Sequence, residues 1–189
     1  TGLQAGEKIW GIEMRPATGQ LYALGSSSHL YTINMASGAA TAVGSMPFAT
    51  LLDGTSFGFD FNPTVDRIRV VSNTGQNLRL NPNDGTIAAV DMPLNPGSPM
   101  ISSAAYTNNY AGAASTVLYD IDPVTDKLYK QLPPNDGTLV EVGSLQLDII
   151  NDNGFDIGGS SNLAYAILPT ISSAKIYSIN LSTGVATPI

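Results

Sequence analysis

Apolar and polar residues alternate in short runs along this chain, and polar turns cut the runs at regular intervals. The first such runs are Ile9–Met14, Gln20–Leu24, His29–Asn34 and Ala39–Val43, rich in β-branched and aromatic residues. Phe57–Phe61, Arg67–Val71, Asn77–Leu80 and Thr86–Val90 follow in the same order. Next come Thr116–Ile121, Lys127–Leu132 and Thr138–Val142, then Gly154–Ile157, Leu163–Leu168, Lys175–Ile179 and Val185–Ile189. A period of two in runs of this length predicts half-buried strands, and no stretch of helical length carries a 3.6-residue period. The expected class is all-β.

The turns between the runs share a spelling. Arg15–Gly19, Asn34–Gly38, Asn62–Asp66, Asn81–Gly85, Asp122–Asp126, Pro133–Gly137 and Asn180–Gly184 each span five residues and close on Gly or Asp. Pro in the second place presets φ for a turn, and the closing Gly or Asp tolerates a left-handed backbone, which is hairpin chemistry. The steps from Arg15 to Asn62, Asn34 to Asn81 and Pro133 to Asn180 are all 47 residues. A second marker keeps the same beat: Gly11-Ile-Glu-Met14, Gly58-Phe-Asp-Phe61, Ala104-Ala-Tyr-Thr107 and Gly154-Phe-Asp-Ile157 are 47, 46 and 50 apart.

Four short strands in a period of about 40–50 residues are the signature of a propeller blade. The reading is one β-propeller-like domain of about four four-stranded antiparallel blades, with a β-sandwich as the alternative. The repeats run over about 11–57, 58–103, 104–153 and 154–189. The last is short, and residues 1–10 are expected to supply the missing length, which brings the two ends together.

Composition narrows the role. Charged residues are only 12% of the chain, the net charge is −7, and the eight Lys and Arg form no evident patch, which argues against a nucleic-acid partner. No apolar run approaches the roughly eighteen residues of a membrane span. Cysteine is absent, so thiolate metal sites, disulfides and a Cys nucleophile are excluded. A Cys-free, weakly charged, hydroxyl-rich β chain has the composition of an exported bacterial protein.

The segments GIEMRPATGQLYALG, GFDFNPTVDRIRVVSNTGQNLRLNPNDG, AAYTNN and LPPNDGTLVEVG resemble the bacterial exported proteins grouped as domain of unknown function 4394. The resemblance covers essentially the whole chain. It implies a propeller-like β repeat, secreted or periplasmic, with no established activity and no catalytic motif to carry over. It also implies that relatives extend past both ends seen here, with four blades in this chain against five in a longer relative.

The candidate chemistry lies in the first strand of each repeat. Glu13, Asp60 and Asp156 recur there, with Tyr106 at the matching place of the third repeat. First strands lining an axis would bring the carboxylates together, where they would bind a hard cation such as Ca²⁺ or share a proton. The plainer role is to accept backbone N–H groups from the next blade and fix its angle. The Asn- and Asp-rich turns at Asn81–Gly85 and Asn135–Gly137, and the segment Asp148–Asp156, offer oxygen ligands without EF-hand spacing. Tyr106, Asn108, Asn109 and Tyr110, in the longest first connection, are the ligand-contact candidates, with carbohydrate as the ligand class. Arg67, Arg69 and Arg79 are expected to pair with Asp60 and Asp66, or else to form an anion site. His29 is the single histidine, so a zinc site or a Ser-His-Asp triad is poorly supported.

These residues support an exported, non-catalytic structural or interaction module that partners another protein or assembles with itself through strand edges. The alternative is a metal-dependent hydrolase or lyase with a cation on the axial carboxylates. Carbohydrate binding is the weakest reading.

Overall fold

Each of the seven turns ends on a residue in the left-handed region. φ is 71° at Gly19, 69° at Gly38, 50° at Asp66, 72° at Gly85, 56° at Asp126, 64° at Gly137 and 82° at Gly184. Most side chains are strained there, and Gly and Asp are among the few that are not. In five of the turns the closing N–H donates to the carbonyl four residues back, as Gly38 does to Asn34 at 2.7 Å. The turn at 133–137 is tighter, because Pro134–Asp136 winds into a 3₁₀ turn.

The computed structural model describes residues 1–150 and 153–189. Strands β1 (Ile9–Arg15), β2 (Gln20–Gly25), β3 (His29–Ile33) and β4 (Ala40–Val43) form the first sheet. The second holds β5 (Phe57–Asn62), β6 (Arg67–Ser72), β7 (Asn77–Leu80) and β8 (Ile87–Val90). The third holds β9 (Ser103–Tyr106), β10 (Leu118–Asp122), β11 (Lys127–Gln131) and β12 (Leu139–Ser144). The fourth holds β13 (Gly154–Ile157), β14 (Ala164–Pro169), β15 (Ala174–Ile179) and β16 (Ala186–Pro188).

Every sheet is antiparallel with its strands in chain order. β1 lies beside β5, β5 beside β9 and β9 beside β13, so the first strands surround an axis. Glycine makes this approach close: a Cβ on Gly58 would stand 2.5 Å from the Ala104 Cβ. The result is a four-blade propeller, and the sandwich alternative falls away.

Three of the spaces between sheets are filled by buried apolar clusters. Tyr22, Leu24 and Leu30 meet Phe57, Phe59 and Phe61 between the first and second sheets. Val71 and Ile101 pack with Tyr106 and Leu118 between the second and third. Tyr119, Ile121 and Leu128 meet Ile157, Ala166 and Leu168 between the third and fourth. Burial of this kind, at about 25 cal/mol per Å², holds blade to blade.

The ring does not close as the repeat lengths suggested. The fourth sheet is complete without residues 1–10, because β13–β16 all come from 154–188. The lead-in Thr1–Lys8 lies instead against the first sheet. The Thr1 carbonyl accepts the Ala40 N–H at 2.9 Å, and the Lys8 carbonyl accepts that of Ser26 at 2.8 Å. The Glu7 carboxylate accepts the Ser27 N–H at 2.6 Å and the Tyr31 hydroxyl at 2.7 Å.

Candidate functional site

Local register places the three acidic residues. Glu13 stands opposite Tyr22 in the first sheet, Asp60 opposite Arg69 in the second and Asp156 opposite Tyr165 in the fourth. All three therefore sit on innermost strands, near enough to influence one another's charge. Burial, and then the Asp156 carboxylate, push the Glu13 carboxyl up to about 8. Burial raises Asp60 as well, reinforced by Glu13 and by Asp156.

Their partners differ. Asp60 is buried, and it accepts the backbone N–H of Tyr106 in the next sheet (2.5 Å) and the Asn109 side-chain amide (2.9 Å). Among the described residues, Glu13 accepts only the N–H of Met14, and Asp156 only that of Ile157. Asp60 thus joins one blade to the next, while Glu13 and Asp156 face open space. Among the described residues, no three His, Cys, Asp or Glu side chains are grouped so as to hold a metal ion.

That open space is a cavity of about 640 Å³ between the first and fourth sheets. Glu13 and Asp156 border it, but most of its wall is apolar: Ile12 and Met14 on β1, Tyr165 and Ile167 on β14, and Ile176 on β15. These five are among the exposed large hydrophobic residues of the chain. The sequence pattern alone does not predict this cleft.

The ligand-contact candidates take other roles. Tyr106 is buried, with its hydroxyl oxygen 3.4 Å from Arg69 Nε, so it offers no stacking platform beside the exposed Tyr110. Asn108 is latched to the fourth sheet by a reciprocal pair with Asn162, at 2.7 and 2.8 Å. Asn109 is committed to Asp60. The acidic turns are also self-satisfied: Asp84 accepts from Thr86 and Asn81, and Asn153 exchanges bonds with Ser102 and Ser103. Asn151 and Asp152, in the acidic segment before β13, lie outside the described residues. His29 is buried, and its ring contacts the Ser27 carbonyl at 3.0 Å.

The arginines pair differently from expectation, and they are not scattered. Asp66 is held by Arg15, through Nε at 2.8 Å and through Nη2. Arg69 and Arg79, opposite one another across β6 and β7, share Asp91 at 2.6 and 2.7 Å. Asp60 pairs with neither. Arg67, Arg69 and Arg79 all line a second pocket of about 180 Å³ with Asn62, Tyr106 and Asn135. The sequence showed the alternation of Arg67 and Arg69, but only the register brings Arg79 beside them.

One buried acid was missed. Asp120 is fully buried with no partner on either oxygen, and burial pushes its carboxyl up to about 8 against the opposing pull of Arg69. Its signal was present: an Asp at the centre of the apolar run Leu118–Ile121.

Solved structures with a similar fold carry several activities. The glutaminyl cyclase of Myxococcus xanthus superposes with a TM-score of 0.58 at 13% identity, over 94% of this chain and 76% of that one. A putative 6-phosphogluconolactonase from Bacteroides fragilis gives 0.54 at 16%, over 100% and 56%. A GH43 glycoside hydrolase engineered for endo-xylanase and exo-arabinofuranosidase activity gives 0.57 at 9%, over 100% and 41%. At these identities the likeness is one of fold. No curated protein matches the chain. The family described as Domain of unknown function (DUF4394) matches residues 1–189, and the chain belongs to that family.

Proposed function

We propose that this chain is an interaction module whose working surface is the cleft between the first and fourth sheets. The partner is a further β-sheet built on the same repeat. One observation carries the reading: the two walls of the cleft repeat the two halves of a joint that is already packed elsewhere in the molecule.

The packed joint is that between the first and second sheets. Tyr22, Leu24 and Leu30 form one half, and Phe59 and Phe61, either side of Asp60, form the other. Register transfers both halves to the cleft. Gly11 stands opposite Leu24, and Leu24 opposite Leu30; likewise Gly154 stands opposite Ile167, and Ile167 opposite Ile176. Tyr165, Ile167 and Ile176 therefore hold the places of Tyr22, Leu24 and Leu30, yet are 42, 54 and 51% exposed. Ile12 and Met14, either side of Glu13, hold the places of Phe59 and Phe61. A single sheet with both kinds of face would fill the cleft and bury both walls. Contiguous apolar surface of this kind is what marks an interaction site on a soluble protein. The contact proposed is therefore through sheet faces, where the sequence pattern predicts association through strand edges.

A chain extended beyond Ile189 by a second copy of residues 1–43 supplies such a sheet. The expected result is a higher unfolding midpoint and, with an apolar dye, weaker fluorescence than the 189-residue chain gives. Ile12→Asp in the first copy should then destabilise the extended chain far more than the original. Equal effects in the two chains would overturn the proposal.

A second reading has its own observation. A carboxyl raised to about 8 at Glu13, bordering the same cavity, is equipped to act as a general acid near neutrality. Hydrolysis of activated glycosides or esters between about pH 5 and 9, abolished by Glu13→Gln, would support it; turnover unchanged in that variant would remove it.

A further inference from the structure

The pocket between the second and third sheets is lined, on its polar side, by donors. Arg67 gives one Nη1 bond to the Asp66 carbonyl at 2.9 Å, and the rest of its guanidinium makes no hydrogen bond among the described residues. Arg79 spends Nε and Nη2 on Asp91, at 2.7 and 2.9 Å, and leaves Nη1 without an acceptor. The Tyr106 hydroxyl oxygen accepts from Arg69 Nε and meets the Asn62 side-chain amide as a second donor, so its own proton is left to point elsewhere. Asn135 gives its oxygen to Arg69 Nη2 at 2.7 Å, and its amide nitrogen has no partner.

The acceptors in the pocket's lining are already used, and Asp120, whose unpartnered carboxyl feels Arg69, is buried outside that lining. Asn62 Oδ1 takes the Thr64 N–H and hydroxyl, at 3.0 and 2.7 Å. Of the carboxylates, Asp91 is shared by Arg69 and Arg79, and Asp66 belongs to Arg15. Asp84 acts on Arg67 only through space, with its oxygens on Thr86 and Asn81. In a chain of net charge −7 with eight basic residues, three of the eight line this one pocket. Donors without acceptors, around a volume of about 180 Å³, call for a compact acceptor carrying negative charge.

We infer that this pocket binds a small oxyanion, a phosphate, sulfate or carboxylate group, through Arg67 and Arg79 with the Tyr106 hydroxyl at its base. The planar, forked guanidinium suits such groups better than an ammonium would. Arg69, buried and tied to Asn77, Asp91 and Asn135, is the fixed wall that positions the others. The site is separate from the cleft, so neither proposal depends on the other.

The test is thermal unfolding of the whole chain in sodium phosphate, sulfate and acetate, each against sodium chloride of equal ionic strength. The midpoint is expected to rise and saturate with at least one of the three, and the one that saturates identifies the group. Arg67→Gln, which leaves the Arg69–Asp91–Arg79 network intact, should match the parent in chloride and lose the saturating rise. Phosphate and sulfate also stabilise proteins generally by exclusion from their surface. An equal, non-saturating rise in parent and variant would therefore overturn the site, as would no rise with any of the three.

Discussion

Asp60 and Tyr106 are joined across two sheets, the carboxylate of one accepting the backbone N–H of the other at 2.5 Å. Asp60→Ala would strand that buried N–H together with the Asn109 amide, and is expected to destabilise the fold by about 1–3 kcal/mol. Asp60→Asn keeps an acceptor and mimics the protonated acid, so it should be much milder. Denaturant unfolding of the two variants checks the order.

Stability should fall as pH rises from acid toward neutral. Glu13 and Asp120 are held up to about 8, and Asp60 is raised, whereas all three titrate near 4 when unfolded. Between those values the unfolded chain loses protons that the folded chain retains, so the stabilisation present at about pH 4 is progressively lost toward about pH 8. Asp66 works the other way: its hydrogen bonds from Arg15 lower it, and its contribution disappears only below about pH 4. The stability maximum is therefore expected near pH 4–5, and Asp120→Asn should flatten the decline above it. Urea titrations across that range measure both.

Arg15 clamps the first sheet to the second, gripping Asp66 through two nitrogens, Asn83 at 2.8 Å and the Tyr22 hydroxyl at 3.2 Å. Lysine cannot reproduce a planar fork that meets three partners. Arg15→Lys is expected to cost about 1–3 kcal/mol in unfolding free energy, with the loss persisting in moderate salt because the pair is largely shielded.

Calcium should leave the unfolding midpoint where a chelator leaves it. The Asp60 oxygens are already taken by N–H donors, and no metal-holding group of three forms among the described residues. An ion present at a hundred times its Kd would add about 2.7 kcal/mol, well within the reach of calorimetry.

Much of this fold was legible because its turns demand unusual backbone. A left-handed residue restricts the choice of amino acid, so Gly19, Gly85 or Asp66 announces a turn without any tertiary information. The 47-residue beat then gives the sheets. What each inner-strand acid does was not legible. Asp60 acts through Tyr106, at the end of β9, and through Asn109, in the long irregular connection that follows it. Ile12 and Phe59 hold the same place in their repeats, yet Ile12 is 61% exposed and Phe59 7%. Nothing local separates them; the difference is whether a sheet stands in front. The arginine pocket likewise needed the β6–β7 register and the fold of the 133–137 turn over it.

The lead-in Thr1–Lys8 gives the cleft a property of its own. It is fastened to Ala40, Ser26, Ser27 and Tyr31 of the first sheet and its turns. It takes the place that residues 53–56 take before β5, where the Ser56 carbonyl accepts the Asn73 N–H as the Lys8 carbonyl accepts that of Ser26. A segment that is ordered only as a joint forms loses freedom at that moment, which weakens binding. Here it is settled beforehand. An arriving sheet meets a preorganised seat, which favours slow release over fast capture.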